Sequence, residues 1–372
     1  MRGTVAPATV PVGRLSALVF LAGAGSLAAE ICASRLLAPY FGSSTVVWAN
    51  LIGVVLAALA LGYWLGGRLA DRRPEPRLLG WIVAAAGALV AVTPFVARPL
   101  LDVAVERLDE ASAGAVIGSF LGVLALFAPP VVLLGMVAPF AIRLAVTRVE
   151  TAGAIAGRLY ALSTAGSLLG TFLPALVTIP LVGTQRTLLG IAVLLGGAAA
   201  LLAGVRALAV AAASLVLAAV PPGAVKGSEG LLEEEESAYQ YVRVLERPDG
   251  RRVLELNEGV AVHSVWRPGE VLTGGPWDVP LALPPLVGRP LRDVAILGNA
   301  GGTTARALGR YYPAAWVDGV ELDPAVTRVG SEWLGLGDNP RLVVHDADAR
   351  PVLRRSERRY DLIVVDAYRQ PY

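Results

Sequence analysis

The feature that most limits what this chain can become is a series of apolar windows, each about as long as a bilayer is thick, that fills the sequence up to Pro222 and then stops. A spanning helix needs about 20 predominantly apolar residues to cross roughly 30 Å of hydrocarbon with its backbone satisfied internally. Such windows run from Leu15 to Ala33, Val46 to Gly66, Leu78 to Ala97, Ala113 to Met136, Leu159 to Ile179, Thr187 to Val205 and Ala207 to Val220. The last is short, and only Arg206 separates it from the sixth. The 55% apolar content exceeds that of a soluble protein, and the excess lies before Pro222, whereas the run Glu233 to Glu236 and most other charges follow it. Residues 1–222 are therefore expected to form a multi-pass helical membrane domain of six or seven spans.

Arg2 and Arg14 ahead of the first window, with Ala28-Ala29 near its end, imitate a signal peptide, but the later spans argue against that reading. Gly53, Gly62, Gly66, Gly67, Gly166 and Gly170 favour close helix contact, and Pro129-Pro130 and Pro174 should kink their helices. Arginines in the short loops collect on the side of the N-terminus: Arg2, Arg14, Arg68, Arg72, Arg73, Arg77, Arg143, Arg148, Arg158 and Arg206 face only Arg35, Arg98, Arg107 and Arg186 opposite. The N-terminus is thus predicted cytoplasmic. Seven spans would put the following segment outside, and six would return it to the cytoplasm. Glu30 stands out as a carboxylate within an apolar span. Pairing with Arg35 or Arg158, lining a substrate path, or reaching the interface from near the end of its span are all open to it.

A formal net charge of +2 lacks the basic footprint of a nucleic-acid-binding protein. The single cysteine, Cys32, excludes a disulfide framework and a cysteine metal site.

In the polar segment, Tyr241 to Leu245, a Pro248-Asp249-Gly250 turn and Arg252 to Leu256 predict a β-hairpin within residues 223–285. Over residues 286–372 strands and helices alternate, as a parallel α/β sheet requires. The strand Val294 to Leu297 runs into the loop Gly298-Asn299-Ala300-Gly301-Gly302 and a helix from Thr303 to Tyr311. Glycines at such a turn let the backbone approach a ligand closely, while the helix N-terminus offers unpaired N–H groups. A second strand, Trp316 to Val320, ends in Glu321-Leu322-Asp323, about 20 residues on, where a carboxylate can accept ribose hydroxyls. Asp323-Pro324 reads as a helix N-cap with proline at the first helical position, so Glu321 is the better ligand. A third strand, Arg341 to Val344, ends at His345-Asp346-Ala347-Asp348, and a fourth, Tyr360 to Val365, ends at Asp366. No metal site is expected: the His345 to Asp348 stretch has no second histidine or cysteine nearby.

Glu236-Ser237-Ala238-Tyr239-Gln240, the Gly298 to Gly302 loop, Val320 to Pro324, Asp348-Ala349-Arg350 and Tyr360 to Asp366, in this order, resemble the motifs of spermidine synthases. Glu30, the run Ser34 to Gly42 and Arg68-Leu69-Ala70-Asp71-Arg72 resemble the membrane half of membrane-fused spermidine synthase-like proteins. The resemblance implies a methyltransferase-like Rossmann domain that transfers an aminopropyl group from decarboxylated S-adenosylmethionine to an amine. It implies that Gln240, Gly298, Gly301, Gly302, Glu321, Asp348 and Ala349 bind the adenosyl co-substrate, with Glu321 at the ribose and Asp348 at the adenine amino group. Asp366 would orient and deprotonate the attacking amine. A cytoplasmic adenosyl donor fits six spans rather than seven.

The departures fall on the amine half. Ala300 stands where the family has an acid in the glycine loop, Arg369 where a second acid follows, and Gly274-Gly275-Pro276-Trp277-Asp278 where an acid-rich polyamine segment is expected. A polycation site should be lined by carboxylates, which argues against putrescine as acceptor. The chain ends at Tyr372, directly after the fourth strand, so the Rossmann domain is expected to be incomplete and the chain a fragment. The expected activity is that of a membrane-bound transferase acting on a small amine, using decarboxylated S-adenosylmethionine or S-adenosylmethionine, with the bilayer as partner and no nucleic acid. The alternatives are a methyltransferase of a membrane substrate, and a transporter or sensor with a non-catalytic adenosyl-nucleotide domain.

Overall fold

A computed structural model describes residues 10–108, 114–221, 223–257, 259, 261–288 and 290–367. Arg2, Ala113, Pro222, Arg369 and Tyr372, which figure in the sequence reading, lie outside the described residues. The chain divides into two compact units, Met1–Val225 and Lys226–Tyr372.

The first unit is helical. α1 (Val12–Phe41) is 30 residues long, eight residues past the end expected at Ala33. Polar Ser34 does not stop it, because its hydroxyl donates to the Ile31 carbonyl at 2.8 Å. α2 (Thr45–Arg72) is capped by Ser44, whose side chain accepts from the Val47 N–H, and α3 (Pro76–Leu108) follows. Gly62 and Gly66 of α2 lie directly on the backbone of Val132 and Met136, and Gly166 and Gly170 on that of Phe20 and Ala24. No side chain fits between these backbones, which is the close contact expected of these four glycines; Gly53 and Gly67, of which the same was expected, face open space.

The fourth expected span, which ends at Met136, is divided into α4 (Gly114–Leu126) and α5 (Ala128–Gly135), and α6 (Val137–Ala145) extends the helical stretch nine residues past that end. Pro129 and Pro130 cannot donate to the last turn of α4, so the helix breaks at Phe127, and Pro139 does the same to the joint at Met136. α5 and α6 together make an apolar stretch of 18 residues.

α7 (Ala152–Leu173) passes through a π turn at Pro174–Thr178 into α8 (Ile179–Ala203). Gly183 inside α8 has φ 80° and ψ 166°. The Thr187 hydroxyl, nine residues along, bonds the Thr178 hydroxyl at 3.0 Å, where an unbroken helix would separate the two residues by about 13.5 Å. The chain therefore folds back at Gly183. On either side of the reversal, α7 runs parallel to α1, through Gly166 on Phe20 and Gly170 on Ala24, while α8 runs antiparallel to α3, through Gly80 on Ala203 and Gly87 on Leu195. α9 (Leu208–Ala219) has 12 residues, about 18 Å at 1.5 Å per residue, and is too short for the seventh span. Five stretches among the described residues are long and apolar enough to cross a membrane, and the longest, Val149–Ala203, is the one that doubles back.

The second unit opens with an antiparallel sheet, β1 (Leu231–Glu236), β2 (Tyr241–Glu246), β3 (Arg252–Leu256) and β4 (Val262–Trp266), ordered β1-β2-β3-β4. It is larger than the expected hairpin. The glutamate run is a strand because its charges are answered: Glu234 accepts from the Tyr241 hydroxyl at 2.8 Å and Glu235 pairs with Arg328. A short helix α10 (Pro284–Val287) leads to β5 (Asp293–Leu297), α11 (Thr303–Tyr311), β6 (Trp316–Glu321), α12 (Pro324–Trp333), β7 (Leu342–Asp346), α13 (Ala349–Arg355) and β8 (Leu362–Val365). These strands are parallel, in the order β7-β6-β5-β8.

Val294, Ile296 and Val317 bury one face of this sheet against Ala305 and Leu308 of α11. Ala295, Leu297 and Val320 bury the other against Val352 and Leu353 of α13. Val242, Val244 and Leu254 of the antiparallel sheet close over Val326 and Val329 of α12. Each fully buried aliphatic side chain contributes about 1.5–3 kcal/mol, so both sheets are fixed against the helices that carry the loops described next.

Candidate nucleoside site

The chain leaves β5, moves outward to β6 and β7, and returns to the far side of β5 as β8. The order thus reverses at β5, and the carboxyl ends of β5 and β8 are the place where open α/β sheets bind ligands. All four loops there carry residues singled out by the sequence.

After β5, Gly298 takes φ 87° and Gly302 φ 82°, and Ala300 between them is also left-handed at φ 45°. The Gly298 and Asn299 N–H groups both donate to the Val320 carbonyl, at 2.9 and 3.0 Å, and Gly301 N–H donates to Ser264 Oγ at 2.8 Å. The loop is thus pinned between β6 and β4. After β6, Glu321 is 9% exposed. Its Oε2 accepts the Ala300 N–H at 2.9 Å, and its Oε1 accepts those of Leu322 and Asp323 at 2.8 and 3.1 Å. A carboxylate offers about four acceptor sites, so one, on Oε2, is left for a ligand hydroxyl. Burial pushes the Glu321 carboxyl above its ordinary value, opposed by those same N–H groups.

Asp323 is the N-cap of α12, accepting from the Ala325 N–H at 3.0 Å. Its other oxygen accepts the Ser237 hydroxyl at 2.6 Å, while Ser237 Oγ receives the N–H groups of Tyr239 and Gln240 at 3.0 Å each. The Gln240 turn is therefore tied to the Glu321 loop through Ser237 and Asp323. Gln240 itself is half-buried.

After β7, Asp348 caps α13 through the Arg350 N–H and also holds the Arg350 guanidinium at 3.1 Å. The Arg350 side chain keeps its carboxyl below the ordinary value. An adenine amino group at Asp348 would have to share it with Arg350. Ala349 packs against the apolar cluster of Ala295, Leu297 and Val320.

After β8, Asp366 N–H donates to the Leu297 carbonyl at 2.8 Å, and a Cβ on Gly298 would stand 2.6 Å from the Asp366 carbonyl oxygen. Burial raises the Asp366 carboxyl, and His263 of β4 opposes the rise. His263 and Ser264 are absent from the sequence-derived set; nothing in a β4 read alone signals that two of its residues serve loops on the parallel sheet. Asn299, 5% exposed, has neither side-chain atom hydrogen-bonded among the described residues and lies on Gly319.

Stretches of the chain are similar in sequence to polyamine aminopropyltransferases. A probable polyamine aminopropyl transferase of Bifidobacterium longum (strain NCC 2705) is 38% identical over 139 residues, 37% of this chain and 30% of that protein. Polyamine aminopropyltransferases of Vibrio vulnificus (strain CMCP6) and Alkaliphilus metalliredigens (strain QYMF) are 28% and 29% identical, over 51% and 47% of their lengths. The chain thus spans about half or less of the curated relatives it matches. A crystal structure of a probable spermidine synthase from Corynebacterium glutamicum ATCC 13032 aligns over 38% of this chain and 53% of its own, with 20% identity and a TM-score of 0.32. No family model matches the chain.

Proposed function

We propose that the second unit binds an adenosyl co-substrate, decarboxylated S-adenosylmethionine, and transfers its aminopropyl group to a small amine, and that the first unit is embedded in a membrane. The observation that carries the reading is the Glu321 carboxylate, with one acceptor site left on Oε2, beside the glycine loop at the sheet's reversal point. The aminopropyltransferase names of its relatives support the reaction class.

In this reading the free lone pair of Glu321 Oε2 takes one ribose hydroxyl, and the loop that carries Gly298, Gly301 and Gly302 lets the donor approach the backbone. Gln240 closes over it from the turn held by Ser237. Asp366, with a carboxyl raised by burial, takes a proton from the acceptor ammonium. The freed nitrogen lone pair attacks the carbon beside the sulfonium, the carbon–sulfur bond breaks, and methylthioadenosine leaves with the bonding pair.

One observation favours a second reading. No residue from Gly298 to Gly302 carries a charge, so nothing in that loop would hold an aminopropyl ammonium, which leaves room for S-adenosylmethionine and methyl transfer to a membrane substrate. Titrating decarboxylated S-adenosylmethionine, S-adenosylmethionine and methylthioadenosine into the full chain separates the two. Preference for the decarboxylated donor supports aminopropyl transfer, preference for S-adenosylmethionine supports methyl transfer, and binding of none of the three defeats both.

For the membrane half, reversal at Gly183 and the shortness of α9 support six crossings: α1, α2, α3, the α4–α6 segment, α7 and α8. The chain then returns to the side of its N-terminus, which the arginine bias makes cytoplasmic.

A further inference from the structure

Among the described residues of the helical unit, the one carboxyl group of α1 is left without a partner. α1 spans Val12–Phe41, so Glu30 lies 3.5 residues from its midpoint, about 5 Å along the axis at 1.5 Å per residue. That places it well inside a hydrocarbon layer of about 30 Å. Among the described residues Glu30 has no hydrogen bond or ion pair, and neither Arg35 nor Arg158 is its partner. Carboxylates at this depth are rare and face a polar path or a partner.

One turn earlier on the same face, Ser26 is 4% exposed and its Oγ has no partner among the described residues. It lines a cavity of about 40 Å³ between α1, α2, α5 and α7, together with Gly23, Tyr63, Ser163 and Ser167. The Ser167 hydroxyl donates to the Gly23 carbonyl at 3.3 Å, which keeps its own oxygen available as an acceptor. Helical side chains lean toward the N-terminus of their helix, which from Glu30 is toward Ser26. No arginine or lysine lines the cavity, so it offers oxygen acceptors and one adjacent negative charge.

A primary ammonium has three donors and no acceptor. Its head is about as large as a water molecule, which needs roughly 10–15 Å³ of such space, so the cavity admits it. We infer that Glu30, Ser26 and the hydroxyls around this cavity form a binding site in the bundle for the ammonium group of a small primary amine. The inference rests on the reading that the bundle crosses a membrane; it is independent of the nucleoside site.

The test uses the full chain in lipid nanodiscs at neutral pH, carrying Asp366→Asn so that the acceptor position of the second unit does not contribute. Radiolabelled n-propylamine is the probe, with unlabelled n-propylamine, tetramethylammonium and sodium as competitors. Saturable binding is expected, displaced by n-propylamine but not by tetramethylammonium, which has no N–H. Glu30→Gln should weaken it at least tenfold and Ser26→Ala severalfold, with unchanged thermal unfolding of both variants. Equal binding by Glu30→Gln, displacement by tetramethylammonium or sodium as effective as by n-propylamine, or no binding by an alkali-resistant, membrane-embedded chain overturns the inference alone. Release of the chain from membranes by alkaline carbonate overturns the spanning reading and this site with it.

Discussion

The Ala300 N–H donates to Oε2 of Glu321 at 2.9 Å, across the carboxyl ends of two adjacent parallel strands. Three backbone N–H groups hold that carboxylate in place, and the remaining lone pair is the one that can meet a ligand. Replacing Glu321 with alanine removes a charge-assisted hydrogen bond to the ligand, worth about 1.5–3 kcal/mol. Affinity for methylthioadenosine is expected to fall about tenfold to a hundredfold by calorimetry. Unchanged affinity would remove Glu321 from the ribose.

The same residue sets a pH dependence. Burial raises its carboxyl in the folded protein, so the folded state takes up this proton at a higher pH than the unfolded chain does. The stabilisation linked to that proton is complete below the unfolded value and is lost as pH rises through the folded one. Ligand binding has the opposite sense, because a protonated Glu321 has lost acceptor capacity. Nucleoside affinity should therefore weaken as pH falls into the range just above the ordinary carboxylate value. A Glu321→Gln variant showing the same slope would assign the effect elsewhere.

Much of the second unit was legible because the strands from β5 to β8 are apolar runs ended by glycine or acid, which is what buried parallel strands and their ligand loops require. β1 was hidden, since Glu233 to Glu236 has no apolar alternation; it pairs with β2, and Tyr241 and Arg328 answer two of its carboxylates. The reversal at Gly183 was legible in outline, since the apolar windows stop at Ile179 and resume at Thr187 with Thr184, Gln185 and Arg186 between them; that the turn is made by this glycine, at φ 80°, is not written in the letters. The roles of Ser264 and His263 depend on β4 meeting the glycine loop and Asp366, contacts of long sequence separation that no local pattern encodes.

His263 gives Asp366 a specific test. Burial raises the Asp366 carboxyl and His263 lowers it, so removing the imidazole should raise it further. In the transferase assay the acidic limb of the pH–rate profile is expected to move to higher pH in His263→Ala. Asp366→Asn should lower turnover by about 10²–10⁴ with nucleoside affinity retained. A limb that stays in place in His263→Ala separates the two residues, and full activity of Asp366→Asn dismisses the base.

Ser237 connects the Gln240 turn to the cap of α12. Alanine at this position leaves Asp323 Oδ2 and two backbone N–H groups without their partner, and Asp323 is only 1% exposed. The expected loss of stability is about 1–3 kcal/mol in urea unfolding, together with weaker nucleoside binding as the turn loosens. Wild-type stability would mean that the turn is held by other contacts.

Gly298 and Gly302 allow the glycine loop's two costs to be separated. Both have positive φ, 87° and 82°, so alanine at either costs about 1–2 kcal/mol of backbone strain. Only at Gly298 would the new Cβ meet the Asp366 backbone; at Gly302 it meets the flexible Leu336 side chain. Comparable destabilisation is expected, with the larger loss of turnover in Gly298→Ala. Equal turnover losses would show that the loop acts through the nucleoside alone.

The number of crossings can be read from two arginines. If the chain turns back at Gly183, Arg186 lies in the first turn of α8 after the reversal, on the outer face, and Arg206, between α8 and α9, lies on the inner one. In intact cells a membrane-impermeant maleimide should label Arg186→Cys and leave Arg206→Cys unlabelled until the cells are opened; Cys32, which is buried, supplies little background. A straight 55-residue helix across this region would bury position 186 or reverse the pattern. The 3.0 Å bond between Thr178 and Thr187 argues against it, since only a reversal brings those hydroxyls together. Under the six-crossing proposal, labelling of Arg186→Cys with protection of Arg206→Cys is the pattern that would return Lys226 to the side of the N-terminus.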